Sequence, residues 1–231
     1  LFFLDDVLKR ILKKEPLSKI LKQSSFYGRD FYINEHVLDP RPDSECLIDG
    51  VLKLFQKNGS HTFLDLGTGS GCLIITLLLE FPHAKGIAVD LSPHALKVAK
   101  KNAHNLGVHQ RIGFFKSNWF GTLSTKYFSS FDLIISNPPY IKHDYILDDN
   151  VALYDPKMAL FSGVDGLDDY KIIFSKLDQY LKDDGVFLGE IGFDQSDLIC
   201  EALKQYKALK FEGFFKDLSN IKRCVIVKKN D

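Results

Sequence analysis

The sequence predicts an α/β fold: a mostly parallel sheet covered by helices on both faces, entered through a short helical segment. Three observations carry this. From residue 61 onward, short apolar runs alternate with stretches of helical spacing. A glycine turn, Asp65-Leu66-Gly67-Thr68-Gly69-Ser70-Gly71, stands between the first run and the first helix. The last two apolar runs lie close enough to form a hairpin.

In chain order, residues 1–24 read as one or two amphipathic helices. Leu4, Val7, Leu8, Ile11 and Leu12 recur at helical spacing, and Pro16 suits the first turn of a second helix. Asp5 and Asp6 directly follow the apolar Leu1-Phe2-Phe3-Leu4, which makes it a poor signal or transit peptide. The chain starts at Leu, not Met, so a truncated N-terminus is expected. Residues 25–45 form an irregular linker or hairpin segment. Within it Pro40 and Pro42 hold Arg41 extended. Ser44 or Asp43 is then placed to cap a helix running to residue 57. Strands are expected at 62–66, 85–90, 112–116, 131–136 and 185–191, and helices at 71–80, 93–106, 167–181 and 195–206. Residues 211–217 and 224–228 make the closing hairpin. The connection from 138 to 166 is long, which usually indicates function or disorder.

The 231 residues are 45% hydrophobic, enough for one domain with a substantial core. A formal net charge of zero argues against a mainly electrostatic nucleic-acid binder, although not against a local basic patch. Cys46, Cys72, Cys200 and Cys224 are far apart and form no CxxC pair, so reduced thiols in a cytoplasmic protein are expected, and no metal site. No apolar run approaches the roughly 20 residues needed to cross a bilayer.

Sheets of this kind bind ligands at the carboxyl ends of their strands. There, glycines let a chain turn sharply and let a ligand approach the backbone amides. The turn Asp65, Gly67, Thr68, Gly69, Ser70, Gly71 therefore marks a candidate cofactor site, the alternative being a tight turn with no ligand. Its spacing is not the GxGxxG of dinucleotide enzymes. The next strand ends in Asp90, near the ~20-residue offset at which a carboxylate meets a ribose diol. Ser92 is the better cap for the helix that starts at Pro93, which leaves Asp90 for the ribose. After the third strand, Asn118 offers a side-chain amide to an adenine edge and Trp119 a ring to pack against it; plain core is the alternative for Trp119.

Asn137-Pro138-Pro139-Tyr140 directly follows the strand at 131–136. The tetrad offers a side-chain carbonyl, a backbone carbonyl and an aromatic face, which suits a planar NH2 group. Together with the glycine turn it suggests methyl transfer from S-adenosylmethionine, leaving S-adenosylhomocysteine, onto an amide or amino nitrogen. A Pro-Pro turn closing a buried strand is the alternative. An amide nitrogen is a poor nucleophile and the sulfonium a strong leaving group, so positioning is the main task.

An ordered set of segments resembles the protein-glutamine N5-methyltransferases that modify peptide chain release factors. It runs Phe26-Tyr27-Gly28 with Phe31, Pro40-Arg41-Pro42-Asp43-Ser44-Glu45, the glycine turn, Asp90, Asn118-Trp119-Phe120, Asn137 to Tyr140, and Asp155-Pro156 through Gly163, Asp165, Gly166 and Leu167. The resemblance implies a class I, Rossmann-like methyltransferase sheet of seven strands with the last antiparallel. It implies that residues 67–71, Asp90, Trp119 and Asn137 contact the methyl donor, and that residues 137–140 hold the glutamine of the GGQ loop. Residues 46–231 would be the methyltransferase domain, 25–45 a segment contributing to the acceptor pocket, and 1–24 a remnant of the family's N-terminal helical domain. The Arg41-Pro42 pairing follows the release-factor type, not the relatives that modify a ribosomal protein. Arg41 would order the pocket wall or pair with a carboxylate such as Glu45, with a surface salt bridge as the alternative. Asn118 and Asp155 depart from the family's usual Asp and Glu.

Two other readings compete. An adenine-N6 methyltransferase uses a similar tetrad but must extract its base and grip a backbone. Lys97, Lys100, Lys101, His104 and Arg111 are the modest basic cluster available for that, and on a helix they read better as a solvated face. A donor-binding scaffold without catalysis is the third reading.

Overall fold

The computed structural model describes residues 2–230. Leu1 and Asp231, the outermost residues of the first and last predicted segments, lie outside the described residues, as does the side chain of Leu4. Two helices, α1 (Phe2–Leu12) and α2 (Leu17–Leu21), lead into an antiparallel hairpin of β1 (Gln23–Phe26) and β2 (Arg29–Tyr32). Tyr27 and Gly28 both take positive φ, 51° and 70°, so the hairpin closes through a turn whose twist matches its strands. Pro16 precedes α2 as its cap residue, one position earlier than expected. The apolar side chains Leu8, Ile11 and Leu12 of α1 are exposed.

Arg41 is extended between its prolines, as expected, and Pro42–Ser44 then form a single 3₁₀ turn before α3 (Glu45–Leu54). That turn overturns the capping expectation. Ser44 already has helical dihedrals and its side chain makes no cap bond, while α3 stops at Leu54 and not at residue 57.

The remaining chain is an alternating α/β unit: β3 (Thr62–Leu66), α4 (Cys72–Glu80), β4 (Lys85–Asp90), α5 (Pro93–Asn105), β5 (Ile112–Lys116) and β6 (Phe131–Ser136). After α6 (Asp149–Tyr154) come α7 (Asp168–Tyr180), β7 (Leu181–Glu190), α8 (Ser196–Leu203), β8 (Leu209–Lys216) and β9 (Lys222–Lys229). The seven-stranded sheet has the order β5-β4-β3-β6-β7-β9-β8, parallel from β5 to β7, with β9 antiparallel to both neighbours. The strand order reverses between β3 and β6, and such a switch point opens a crevice beyond the carboxyl ends of the strands.

The inner strands are apolar on both faces because each face is covered. Phe63, Leu133, Ile135, Val186 and Leu188 pack into the core shared with α3 and α4. Leu64, Leu66, Ile134 and Phe187 pack into the core shared with α7 and α8. The predicted loop after β6 carries its own short structure, α6 and a 3₁₀ turn at Lys157–Ala159. Ile141 also pairs with Phe161, which ties the two ends of this segment together.

Candidate active site

The glycine turn leaves β3 and enters α4 at the switch point, with Gly67, Gly69 and Gly71 all at positive φ (72°, 54° and 82°). A Cβ added at Gly69 would meet open space, whereas one at Gly67 would stand 3.3 Å from the Trp119 ring. The loop is thus a cradle with the indole close against it. Asp65 lies beneath, buried, accepting the Thr68 hydroxyl at 2.6 Å, and burial pushes its carboxyl up to about 7. It supports the turn from below and does not line the cavity above.

That cavity, about 200 Å³, is lined by Gly67, Thr68, Gly69, Ser70, Asp90, Asn118, Trp119 and Asn137, so most of the residues predicted for the donor come together. Gly71 is not on its lining. Asp90, at the end of β4, accepts the Gly69 amide at 2.9 Å through Oδ2 and the Ser92 amide at 2.8 Å through Oδ1. Burial raises its pKa while those two amides pull it back. Ser92 caps α5, accepting from Ala95 at 3.2 Å, so Asp90 is released from that duty. Each Asp90 oxygen keeps a second lone pair, the pair a vicinal diol needs. Trp119 has φ of 49° and donates its indole N–H to Asp169 at 3.1 Å; it is half-buried, packed on the α7 core and lining the cavity at once. The residues present therefore fit a nucleoside-bearing donor: a glycine cradle, a carboxylate at diol position and an indole wall.

A second cavity of about 500 Å³ adjoins the first, within the range that encloses small ligands. Asn137 and Arg41 line both cavities. Asn137 donates through Nδ2 to Ser44 Oγ at 3.1 Å, and its Oδ1 takes no hydrogen bond among the described residues. Pro139 faces the first cavity and Tyr140 the second, while Pro138 is buried and lines neither. The Tyr140 hydroxyl donates to Glu190 Oε1 at 3.2 Å, and its backbone carbonyl accepts from Gln195 at 3.0 Å. Burial, with Glu190 beside it, raises the Tyr140 pKa.

Several residues here escaped the sequence reading. Glu190, 1% exposed at the end of β7, lines the second cavity, and burial lifts its carboxyl to about 7. Arg41 pairs with Asp155 at 2.8 Å and not with Glu45, whose carboxylate accepts the Tyr27 amide at 2.7 Å. Asp155 also meets Lys19 at 2.9 Å, and both side chains are buried (3% and 5% exposed). Lys19 Nζ donates onward to the carbonyls of Val37 at 2.6 Å and Asn34 at 3.2 Å. One buried ion pair therefore joins α2, the segment before α3 and the long loop, and holds Arg41 where the cavities meet. Of the basic cluster, Arg111 donates to the carbonyls of Leu78, Phe81 and Ala84 and Lys101 sits 3.3 Å over the Tyr32 ring, while Lys97, Lys100 and His104 are exposed on α5. All four cysteines are free thiols. Among the described residues no helix is long and apolar enough to cross a membrane, and no His, Cys, Asp and Glu group could hold a metal ion.

Sheet order, antiparallel last strand and glycine turn define a class I, Rossmann-like methyltransferase. A methyltransferase-domain family model matches residues 57–212. In fold, the chain is similar to a ribosomal protein L11 methylase from Lactobacillus delbrueckii subsp. bulgaricus, with TM-score 0.61 and 19% identity over 84% of this chain and 82% of that one. It is likewise similar to the hMettl16 catalytic domain in complex with MAT2A 3′UTR hairpin 6, with TM-score 0.66 and 17% identity over 87% and 76%.

Sequence relatives are much nearer. A release factor glutamine methyltransferase of Caulobacter vibrioides is 39% identical over 229 residues, 98% of this chain and 78% of its own length. One of Rhodospirillum rubrum is 37% identical over 98% and 68%. A bifunctional methyltransferase of Rickettsia typhi is 39% identical over 96% of this chain, which spans 46% of that longer relative. The chain belongs to the family of release factor glutamine methyltransferases.

Proposed function

We propose that this chain transfers a methyl group from S-adenosylmethionine to the side-chain amide nitrogen N5 of the glutamine in the GGQ motif of a peptide chain release factor. One observation carries the reading: two cavities, one against the glycine turn and one against Tyr140, share Asn137 as a common wall. A donor in the first and an acceptor in the second would meet at that side chain. Family membership supports a release factor as the acceptor. The cytoplasm, where release factors act, is the compartment this reading implies.

In this reading Gly67 to Gly71 admit the donor's amino-acid portion, Asp90 takes the ribose hydroxyls, and Asn118 and Trp119 flank the adenine. Bound S-adenosylmethionine supplies an electrophilic methyl on a cationic sulfur, which departs as a neutral thioether. Asn137 Oδ1 accepts one N–H of the glutamine amide, turning its nitrogen toward the methyl and offsetting the positive charge that grows there. The Pro138 carbonyl, which lies off both cavities, would take the second N–H once the arriving acceptor exposes it. Tyr140 stacks on the amide plane. As the new N–C bond forms the nitrogen holds one proton too many; the N-protonated amide is a strong acid and loses it to water, so no dedicated base is required. Arg41, anchored by Asp155, forms the wall between donor and acceptor.

We read residues 46–231 as the transfer domain, 25–45 as the hairpin and wall of the acceptor pocket, and 1–24 as part of an N-terminal helical unit. The test is transfer of a labelled methyl group to purified release factor, with DNA and RNA oligonucleotides offered in parallel. Label on the GGQ glutamine supports the reading. Label on adenine, or donor binding without transfer to any acceptor, overturns it.

A further inference from the structure

Resting on the acceptor role given above to the tetrad, we propose that Glu190 and Ser44 are positioning residues that decide which end of the Asn137 carboxamide faces the acceptor. The register of β6 with β7 pairs Ser136 with Gly189, which brings Glu190 level with Asn137. Ser44 arrives from the 3₁₀ turn ahead of α3 and is buried between them. Its oxygen accepts from Asn137 Nδ2 at 3.1 Å, and its hydroxyl lies beside the Glu190 carboxyl and helps to hold that group ionised. Tyr140 donates to the same carboxyl at 3.2 Å, while Glu190 Oε2 is buried with no conventional hydrogen-bond partner.

A serine hydroxyl has one proton and can point it only one way at a time. Beside a carboxylate, which only accepts, the Ser44 hydroxyl turns its O–H toward Glu190 without passing the proton over, and offers Asn137 a lone pair. The NH2 of Asn137 must then face Ser44, and Oδ1 is left for the acceptor's N–H. If Glu190 carries a proton or an amide NH2, it can donate to Ser44. The hydroxyl then turns toward Asn137, and the carboxamide is free to present its NH2 to the acceptor, where it repels instead of accepting. One buried charge thus orients both ends of the tetrad, Tyr140 directly and Asn137 through Ser44.

Other titratable groups also face this carboxyl. Arg223 and Cys224 stand on β9, Asp43 in the 3₁₀ turn and Cys46 on α3; Tyr170 on α7 donates its hydroxyl to the Glu190 carbonyl. Arg223 favours the ionised form and Asp43 opposes it, and burial leaves the group titrating at about 7.

The test pairs a donor-independent measurement with kinetics. In the enzyme alone, the ¹³C carboxyl resonance of Glu190, assigned by its loss in Glu190→Gln, should titrate near 7. Its midpoint should move up in both Ser44→Ala and Tyr140→Phe, because each loses a hydroxyl that favours the carboxylate. A midpoint unmoved in both variants overturns the proposal. With release factor as acceptor, wild-type kcat should rise with pH through that midpoint. Glu190→Gln should lose the rise and at least ~10-fold in kcat, with donor affinity within a few-fold, and adding Ser44→Ala to it should cost little more. A Glu190→Gln enzyme with wild-type kcat and pH profile also overturns it. A wild-type enzyme that leaves the release factor unmodified counts against the substrate reading alone, and the carboxyl titration then decides for Glu190.

Discussion

Asp155→Ala removes the carboxylate to which both Lys19 and Arg41 are paired, and the structure sets the size of the loss. Breaking a buried ion pair from one side costs about 3–5 kcal/mol, mostly for the charge left behind. Here that charge is the Lys19 ammonium, which keeps the carbonyls of Val37 and Asn34, while Arg41 is 41% exposed and can rehydrate. The loss should therefore fall at the lower end, about 3 kcal/mol. Lys19→Met leaves Asp155 still paired with Arg41 at 2.8 Å and should cost less, about 1–2 kcal/mol. The double variant has no unpaired buried charge and should cost less than the sum of the two. Urea unfolding of the four proteins measures this, provided the slopes agree. Because the pair is buried, raising the salt from 0.1 to about 0.5 M should change the coupling little. Losses that add to within about 0.5 kcal/mol would refute the network and reduce Lys19 to an independent packing residue.

Asp90→Ala should weaken S-adenosylmethionine binding by about 1–3 kcal/mol, read by calorimetry; unchanged affinity would refute the ribose role. Gly71→Ala places a Cβ 2.8 Å from Ile75 Cδ1 at a φ of 82°, and left-handed strain plus overpacking should cost about 3 kcal/mol in urea unfolding. Gly69→Ala, at φ 54° with open space around its Cβ, should cost only about 1 kcal/mol in the enzyme alone, and equal losses at the two positions would contradict the cradle geometry. Glu190 binds its proton up to about pH 7 in the folded state against about 4.5 unfolded, so folding stability falls as pH rises between those values. Relative to Glu190→Gln, the wild type should lose up to about 3 kcal/mol between pH 4.5 and pH 8, and a pH-independent difference would deny the raised pKa.

The sheet was legible because its inner strands are buried on both faces. Such strands read as mostly apolar runs bounded by Gly, Pro and Asp, and 62–66, 85–90 and 131–136 fall where expected; the edge strand at 112–116 also does, although it is only partly buried. The donor side was legible too, since the glycine turn, Asp90 and Trp119 each close one strand and meet at the switch point. Sequence gave no warning of the polar lattice beneath the tetrad. Glu190 reads as the end of an apolar strand, and only the register of β7 on β6 sets it beside Asn137. Ser44 reads as a helix cap because nothing local reveals the 3₁₀ turn that Pro42 begins. Lys19 reads as a solvated helix residue; its partner lies in a distant loop, and no periodicity reports a pair so far apart in the chain. α6 is six residues long, and none of them is buried, so it leaves no apolar stripe to detect.

The central claim is that the Asn137 oxygen serves the acceptor and not the donor. Measuring donor affinity and single-turnover methylation of release factor side by side in Asn137→Ala tests it directly. The account predicts that transfer is lost while S-adenosylmethionine still binds within a few-fold of wild type. Donor binding that collapses together with transfer, or transfer that survives, would contradict it.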